Sequence, residues 1–365
     1  MSEPEDDGPS ATAQIKLASA GEKLPGTPYE LGERLGGGGM GQVFRARHIE
    51  LGRDVAVKLL APALAHDPKA MERLRREARA AARLGNPHII EIYDLGISDD
   101  GRPYVVMKLV DGRDLKKLLD AEAPLPPERV YGIIGQIGDA LADAHAAGVV
   151  HRDLKPENVL VERRQGKDRV TLLDFGIAQS IQDTDSRLTR EGQMIGTPGY
   201  MAPEQALARP LDGRADQYAV AVIAYEMLSG KSPFARITAL QLLAAQLTQA
   251  PTPLGEVVDP AVVPPALQAV VMRGLERDPE ARFVDMPAFV EAFGAALETP
   301  AALAPAPAGM GRGPMIAAAV LAVALIGLGT WFWRRAGQPT TPTVAGSANA
   351  AATNAVTPPV VAPVA

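Results

Sequence analysis

Near the middle of the chain, the run His151-Arg152-Asp153-Leu154-Lys155-Pro156-Glu157-Asn158 sets a carboxylate, an ammonium and an amide in one short polar stretch. Apolar Val149-Val150 precede it and Val159-Leu160-Val161 follow. It therefore reads as a loop held between two buried strands, where a rigid scaffold presents reactive side chains. Asp174-Phe175-Gly176, further on, adds a second carboxylate. A carboxylate can accept a proton from a hydroxyl, an ammonium can neutralise an anion, and carboxylate and amide oxygens are the hard donors that Mg2+ demands. Such a set suits phosphoryl transfer, which needs aligned oxygens and neutralised charge more than strong bases. Upstream, Gly36, Gly38, Gly41 and Val43 stand in G-x-G-x-x-G-x-V spacing. Glycines let backbone N–H groups approach phosphate oxygens with no side chain between them. Taken alone, the run equally describes a flexible hairpin turn.

The elements that must position these groups can be traced outward from them. Val55-Ala56-Val57-Lys58 alternates with period two, so Ala56 and Lys58 share one strand face and both valines the other. A small residue beside a cation leaves room for a flat base and a charge for its phosphates. Lys69 to Leu84 is rich in Ala, Arg, Glu and Leu and predicts a helix, with Glu77 in or beside its apolar stripe. Glu77 needs a partner there, and in solvent Arg73 four residues earlier would supply one. Arg73, Arg75, Arg76, Arg79 and Arg83 form a solvated basic face, with contact to anionic lipid as the lesser alternative. Pro127 to Gly148 predicts a second helix, with Val130, Ile134, Ile137 and Leu141 on one stripe and Gly148 as its stop. Ala215 to Tyr225 is apolar on nearly every side, the mark of a helix buried in the centre of a large lobe.

Taken in order, these motifs resemble the eukaryotic-like serine/threonine protein kinases of bacteria, over residues 29 to 298. The resemblance implies an α+β, two-lobed fold: a small β-rich lobe with one key helix, then a large, mainly helical lobe. It implies ATP and Mg2+ as cofactors, with Mn2+ as an alternative metal. Gly36, Gly38, Gly41, Val43, Ala56, Lys58, Met107, Val110 and Leu160 would surround the nucleotide. Among these, Lys58 would hold the α- and β-phosphates and pair with Glu77, Ala56 and Val43 would roof the adenine, Met107 would line its back and Leu160 its floor. Asp153 would act as catalytic carboxylate, Lys155 would stabilise the γ-phosphoryl group, and Asn158 and Asp174 would hold the metal. A lysine two after the aspartate resembles serine/threonine rather than tyrosine kinases. Many relatives carry Glu where Lys108 stands, a departure of little consequence for a hinge that binds adenine through backbone groups. Asp114 falls where the family often places an acid near ribose or substrate.

Between Asp174 and Glu204 the resemblance implies an activation segment in which Thr197 bonds Asp153 and Lys155 and Thr189 is the phosphosite. Arg152 sets a cation beside the catalytic acid, and a phosphate on the segment would neutralise it and order the loop. Thr189 is otherwise a simple loop threonine. Asp216 would bond backbone amides of the catalytic loop, and Arg282 would pair with Glu204 inside the large lobe. The expected partners are proteins bearing Ser or Thr, with dimerisation for phosphorylation in trans left open. Two other activities remain: a catalytically silent nucleotide-binding scaffold, and a small-molecule phosphotransferase of similar fold.

Composition narrows the rest. With 365 residues, 47% hydrophobic and 22% charged, the chain holds one two-lobed domain plus appendages. A net charge of -6 with no basic domain argues against nucleic-acid binding. No cysteine is present, which removes thiolate metal sites, cysteine nucleophiles and disulfides. Residues 1–28 lack a sustained period and are expected to be disordered, without an export signal. Residues 299–314 form an Ala/Pro-rich linker. Met315 to Trp333 is uninterrupted by charge over about 19 residues, roughly 28 Å of helix, enough for one membrane crossing. Trp331 and Trp333 with Arg334-Arg335 make an interfacial edge. The expectation is therefore a single-pass protein of the cell membrane with a cytoplasmic kinase domain and a disordered extracytoplasmic tail over 334–365. Arginine flanks alone would favour the reverse orientation, but long domains respond weakly to them, and the domain needs cytosolic ATP.

Overall fold

The computed structural model describes residues 21–38, 41–61, 64–65, 67–175, 198–234 and 238–298. Five strands form the first sheet: β1 (Tyr29–Gly38), β2 (Gly41–His48), β3 (Arg53–Leu60), β4 (Ile92–Ile97) and β5 (Pro103–Lys108), in antiparallel order β1-β2-β3-β5-β4. Helix α1 (Pro68–Ala82) lies between β3 and β4 in sequence, and Asp67 caps it by accepting the Lys69 and Ala70 amides. One face of the sheet packs on Leu24, Tyr29, Leu31, Phe44, Val57 and Val106; the other packs Ala56, Leu60 and Met107 against Ala70, Met71 and Leu74 of α1. This period-two division is the one that the sequence of β3 predicts.

Residues 21–28, expected to be disordered, join this lobe. Leu24 is fully buried, Gly21 N–H bonds the Leu31 carbonyl, and Glu22 pairs with Arg102. One well-placed leucine and a few bonds to β1 and Arg102 anchor a stretch too short to show a period.

After the hinge at Leu109–Gly112, the second lobe is built from α2 (Leu115–Glu122), α3 (Pro127–Ala146), α4 (Pro203–Ala206), α5 (Gly213–Ser229), α6 (Ala239–Thr248), α7 (Pro265–Gly274) and α8 (Met286–Glu298). A three-stranded sheet, β6 (Arg113–Asp114), β7 (Val159–Arg164) and β8 (Lys167–Leu172), lies beneath the hinge. Val130, Ile134, Ile137 and Leu141 are all fully buried, and Gly148 at φ 74° supplies the left-handed residue that ends α3. Helix α5 is buried from Ala215 through Ser229 and organises the lobe's core. Val149-Val150 do not form the strand expected before the central loop. The Val149 N–H instead donates back to the Ala144 carbonyl and closes α3.

Asp168 ties the small sheet to α3, since Arg129 reaches it through Nε (2.7 Å) and Nη2 (3.2 Å) and Arg163 adds a bond of 2.9 Å. Burial opposes ionisation of Asp168, but the two guanidinium groups outweigh it and hold the carboxyl below its usual range. A depressed folded pKa contributes stability above the unfolded value, ~3.9, that is lost as pH falls through the folded value. Asp168→Asn is expected to cost roughly 1–3 kcal/mol at neutral pH. The gap in Tm to the parent protein should close as pH is lowered from about 4.5 towards 2; a gap that stays constant would refute the ionic account.

Candidate active site

Lys58 on β3 and Asp174 just after β8 meet in the cleft between the lobes, Nζ to Oδ2 2.6 Å apart. Backbone bonds bring the lobes together there: Ile90 N–H to the Leu172 carbonyl and Leu172 N–H to the His88 carbonyl. Leu173 N–H donates to the Asn158 carbonyl at 2.9 Å, so the segment bearing Asp174 is fixed to the loop bearing Asn158. Asn158 Nδ2 donates to the Asp153 carbonyl (2.7 Å) and to Asp153 Oδ2 (3.1 Å), and Lys155 Nζ reaches the same Oδ2 at 2.9 Å. The sequence thus places Lys58, Asp153, Lys155, Asn158 and Asp174 in one connected set of polar groups.

Burial works against an anionic Asp174, but the charge and bond of Lys58, aided by His151 and Lys155, hold its carboxyl below the ordinary range. The side chain keeps 22% exposure, so the anion remains reachable from the cleft. Asn158 turns its amide nitrogen to Asp153, which leaves its carbonyl oxygen as the acceptor for a cation. No group of three or more Asp, Glu, His or Cys that could cage a metal occurs among the described residues. A carboxylate plus an amide oxygen suits an ion that keeps waters and shares phosphate oxygens, as Mg2+ does.

Two non-glycine residues here adopt left-handed backbone, Arg152 at φ 65° and Asp174 at φ 54°. Each costs of order 1–3 kcal/mol and persists only where surrounding contacts enforce it. At Arg152 the enforcement is visible. Asp216 accepts the His151 N–H through Oδ2 (2.8 Å) and the Arg152 N–H through Oδ1 (2.9 Å), as the sequence reading expects. His145 Nε2–H donates to Asp216 Oδ2 at 2.7 Å, and Gln205 Nε2 donates to the Arg152 carbonyl at 2.6 Å. His145 extends the Val130–Leu141 stripe by one more turn, and a polar residue on a buried stripe signals a needed partner. Gln205 carries no comparable local signal. His151 donates from Nε2 to the Leu173 carbonyl and packs on Phe175, ring centroids 4.8 Å apart.

Above this set, Val43, Ala56, Met107 and Val110 belong to one apolar cluster, and Leu160 is half-buried on β7. Gly41, at φ 147°, faces the Leu59 carbonyl so closely that an added Cβ would lie 2.2 Å from its oxygen, so packing alone demands glycine. A Cβ at Gly36 would meet nothing within 4 Å, so its bareness leaves open space rather than serving the fold. Gly38 ends β1 opposite Gly41. Asp114, at the end of the hinge, caps α2 through the Lys117 N–H (2.8 Å) and pairs with Lys117 Nζ (2.9 Å). Lys108 pairs with Glu91. The Glu77 side chain, and with it the expected pair to Lys58, lies outside the described residues, as do Thr189, Thr197 and residues 315–333. Among the described residues no helix is long and apolar enough to cross a membrane.

Residues 29–291 match the family described as the protein kinase domain. The chain is 44% identical over 273 residues to serine/threonine-protein kinase pkn3 of Myxococcus xanthus, covering 74% of this chain and 49% of that one. It is 43% identical over 272 residues to serine/threonine-protein kinase PknE of Mycobacterium tuberculosis, covering 74% and 46%. It thus spans about half the length of the curated relatives it matches. The crystal structure of the M. tuberculosis PknI kinase domain aligns at TM-score 0.61 and 31% identity, over 78% of this chain and all of that one. With sheet, hinge, helical lobe and polar cleft arranged as described, the chain belongs to the protein kinase family.

Proposed function

We propose that the chain is a serine/threonine protein kinase that transfers the γ-phosphoryl group of MgATP to protein hydroxyls, its own activation segment included. The observation that carries this reading is the meeting of two bonded sets, Lys58 with Asp174 (2.6 Å) and Asp153 with Lys155 and Asn158 (2.7–3.1 Å), joined by the Leu173 N–H to the Asn158 carbonyl. MgATP would supply the phosphoryl group and the metal charge that steadies it. Lys58 would bind phosphate oxygens, while Asp174 and Asn158 would hold the metal. Lys155 and Asn158 both bind Asp153 at Oδ2, which leaves Oδ1 as the oxygen that takes the proton of an incoming Ser or Thr hydroxyl. Lys155, beside it, neutralises charge on the group in flight. The choice of serine and threonine is supported by Lys155 and by the similarity to relatives named serine/threonine-protein kinases. Residues 315–333 anchor the domain to the membrane, with the domain on the cytoplasmic side, where ATP is available.

Incubating the purified full chain with MgATP and mapping phosphosites tests activity and residue type together. Phosphoserine or phosphothreonine, Thr189 among the sites, is expected, with none in Asp153→Ala. Absence of transfer to protein, or transfer to tyrosine alone, would refute the assignment. Carbonate-resistant retention in the membrane fraction, lost on deletion of 315–333, checks the anchor.

A further inference from the structure

The peptide that aims Asp153 is clamped at both of its polar ends. Arg152 sits at φ 65°, and the Asp153 N–H donates to the His151 carbonyl at 2.9 Å across it. This i to i+2 bond with positive φ at the centre is the strained hand of a γ-turn. Such a residue relaxes by rotating the following peptide, and the 152–153 peptide sets the direction of the Asp153 side chain. Asp216 holds the Arg152 N–H, and Gln205 Nε2 holds the Arg152 carbonyl at 2.6 Å. Gln205 is 3% exposed and lies in α4, next to Glu204, whose carboxylate is bound bidentately by Arg282. Two successive side chains of α4 thus reach in different directions: one fixes the helix to the core, the other grips the loop.

We propose that Gln205 is a positioning residue for phosphoryl transfer: its amide holds the Arg152 carbonyl, keeps Asp153 aimed, and couples the seating of the stretch that ends at α4 to the catalytic loop. The inference rests on the kinase reading. Only a donor can serve, because a carbonyl accepts and cannot give. Removing that donor takes away the 2.6 Å side-chain bond that holds the carbonyl beside a strained residue, so the turn is freer to relax.

The test compares the full-length parent protein with Gln205→Met, similar in size and without a donor, using casein and MgATP. A fall in kcat of roughly 10- to 100-fold is expected, as for loss of aim rather than of binding. The KM for ATP should stay within about twofold, because the Lys58–Asp174 pair makes no contact with this bond. In an Asp153→Asn background the additional loss should vanish, since two changes acting through one group do not add. Hydrogen exchange at the 151–155 amides should quicken at least about tenfold while α5 stays protected. Gln205→Glu, which sets an acceptor against the carbonyl, should behave like Gln205→Met and serves if that variant folds poorly. Unchanged kcat and exchange, or a loss that adds fully to Asp153→Asn and raises the KM for ATP, would overturn the proposal. A parent protein that transfers no phosphate would refute the kinase reading, while the exchange comparison would still decide whether Gln205 holds the loop.

Discussion

Asp153→Asn is expected to lower kcat at neutral pH by about 10²- to 10⁴-fold, the usual worth of a positioned proton acceptor. The substitution keeps the shape and removes the charge, so the effect isolates the chemistry. Asn158 loses one acceptor, Asp153 Oδ2, but retains the Asp153 carbonyl at 2.7 Å, and the loop should hold its course. Nucleotide affinity should stay within about twofold, because Lys58 and Asp174 are untouched and Asn158 keeps its bond to the Asp153 carbonyl. Initial rates against ATP concentration give both numbers. Parental kcat in the variant would remove Asp153 from the reaction, and an equal loss in nucleotide affinity would make its role structural.

Arg282→Met is expected to have the largest effect on stability. The Arg282 side chain is 0% exposed and binds Glu204 with Nη1 to Oε1 at 2.7 Å and Nη2 to Oε2 at 2.8 Å. It also donates to the carbonyls of Glu276 (2.8 Å) and Arg214 (2.8 Å), and its guanidinium lies 5.0 Å from the centre of the Tyr218 ring. Losing one partner leaves Glu204 charged, buried and alone, at a cost of about 3–5 kcal/mol. For a domain of this size that corresponds to a Tm roughly 6–20 °C lower. Adding Glu204→Gln should recover part of the loss, since the stranded charge is then gone. By contrast, breaking the exposed Arg45–Asp54 pair, 50% and 40% exposed, should move stability by less than about 1 kcal/mol. Thermal melts of the single and double variants decide. A fall of less than about 1 kcal/mol for Arg282→Met would show that Glu204 finds water or takes up a proton instead.

The contrast between these residues explains what could be read from sequence and what could not. Asp153, Asn158, Asp174 and Lys58 were legible because their chemistry requires particular residue types in a fixed order. The stripe of α3 and the all-round apolar α5 were legible because burial writes a period into the chain. Val149-Val150 look like a strand by composition, but the Val149 backbone is used in closing α3, which composition does not encode. Leu24 is one buried residue in a polar stretch and has no period to reveal it. Asp168 and Arg129 are 39 positions apart, and only the packed sheet brings them together. Gln205 is hidden for a similar reason: its partner is a backbone carbonyl, which any residue would provide. Asp114 carries a second signal that the motif reading passed over, since an acid just before a short helix is a cap.

The apolar interior is divided unevenly. The first lobe holds two modest clusters on opposite faces of its sheet, whereas the second surrounds α5 with one continuous mass of buried side chains that includes Leu154, Val159 and Phe175. Cooperative units with less buried surface open at lower free energy than the unit around them. On gentle warming, the lobe carrying Lys58 therefore loosens first, while Asp153 remains bolted through Asp216 to the most persistent part of the molecule. If the lobe that bears Lys58 opens before the loop that bears Asp153, the proposed kinase activity should decline ahead of global melting and return promptly on cooling.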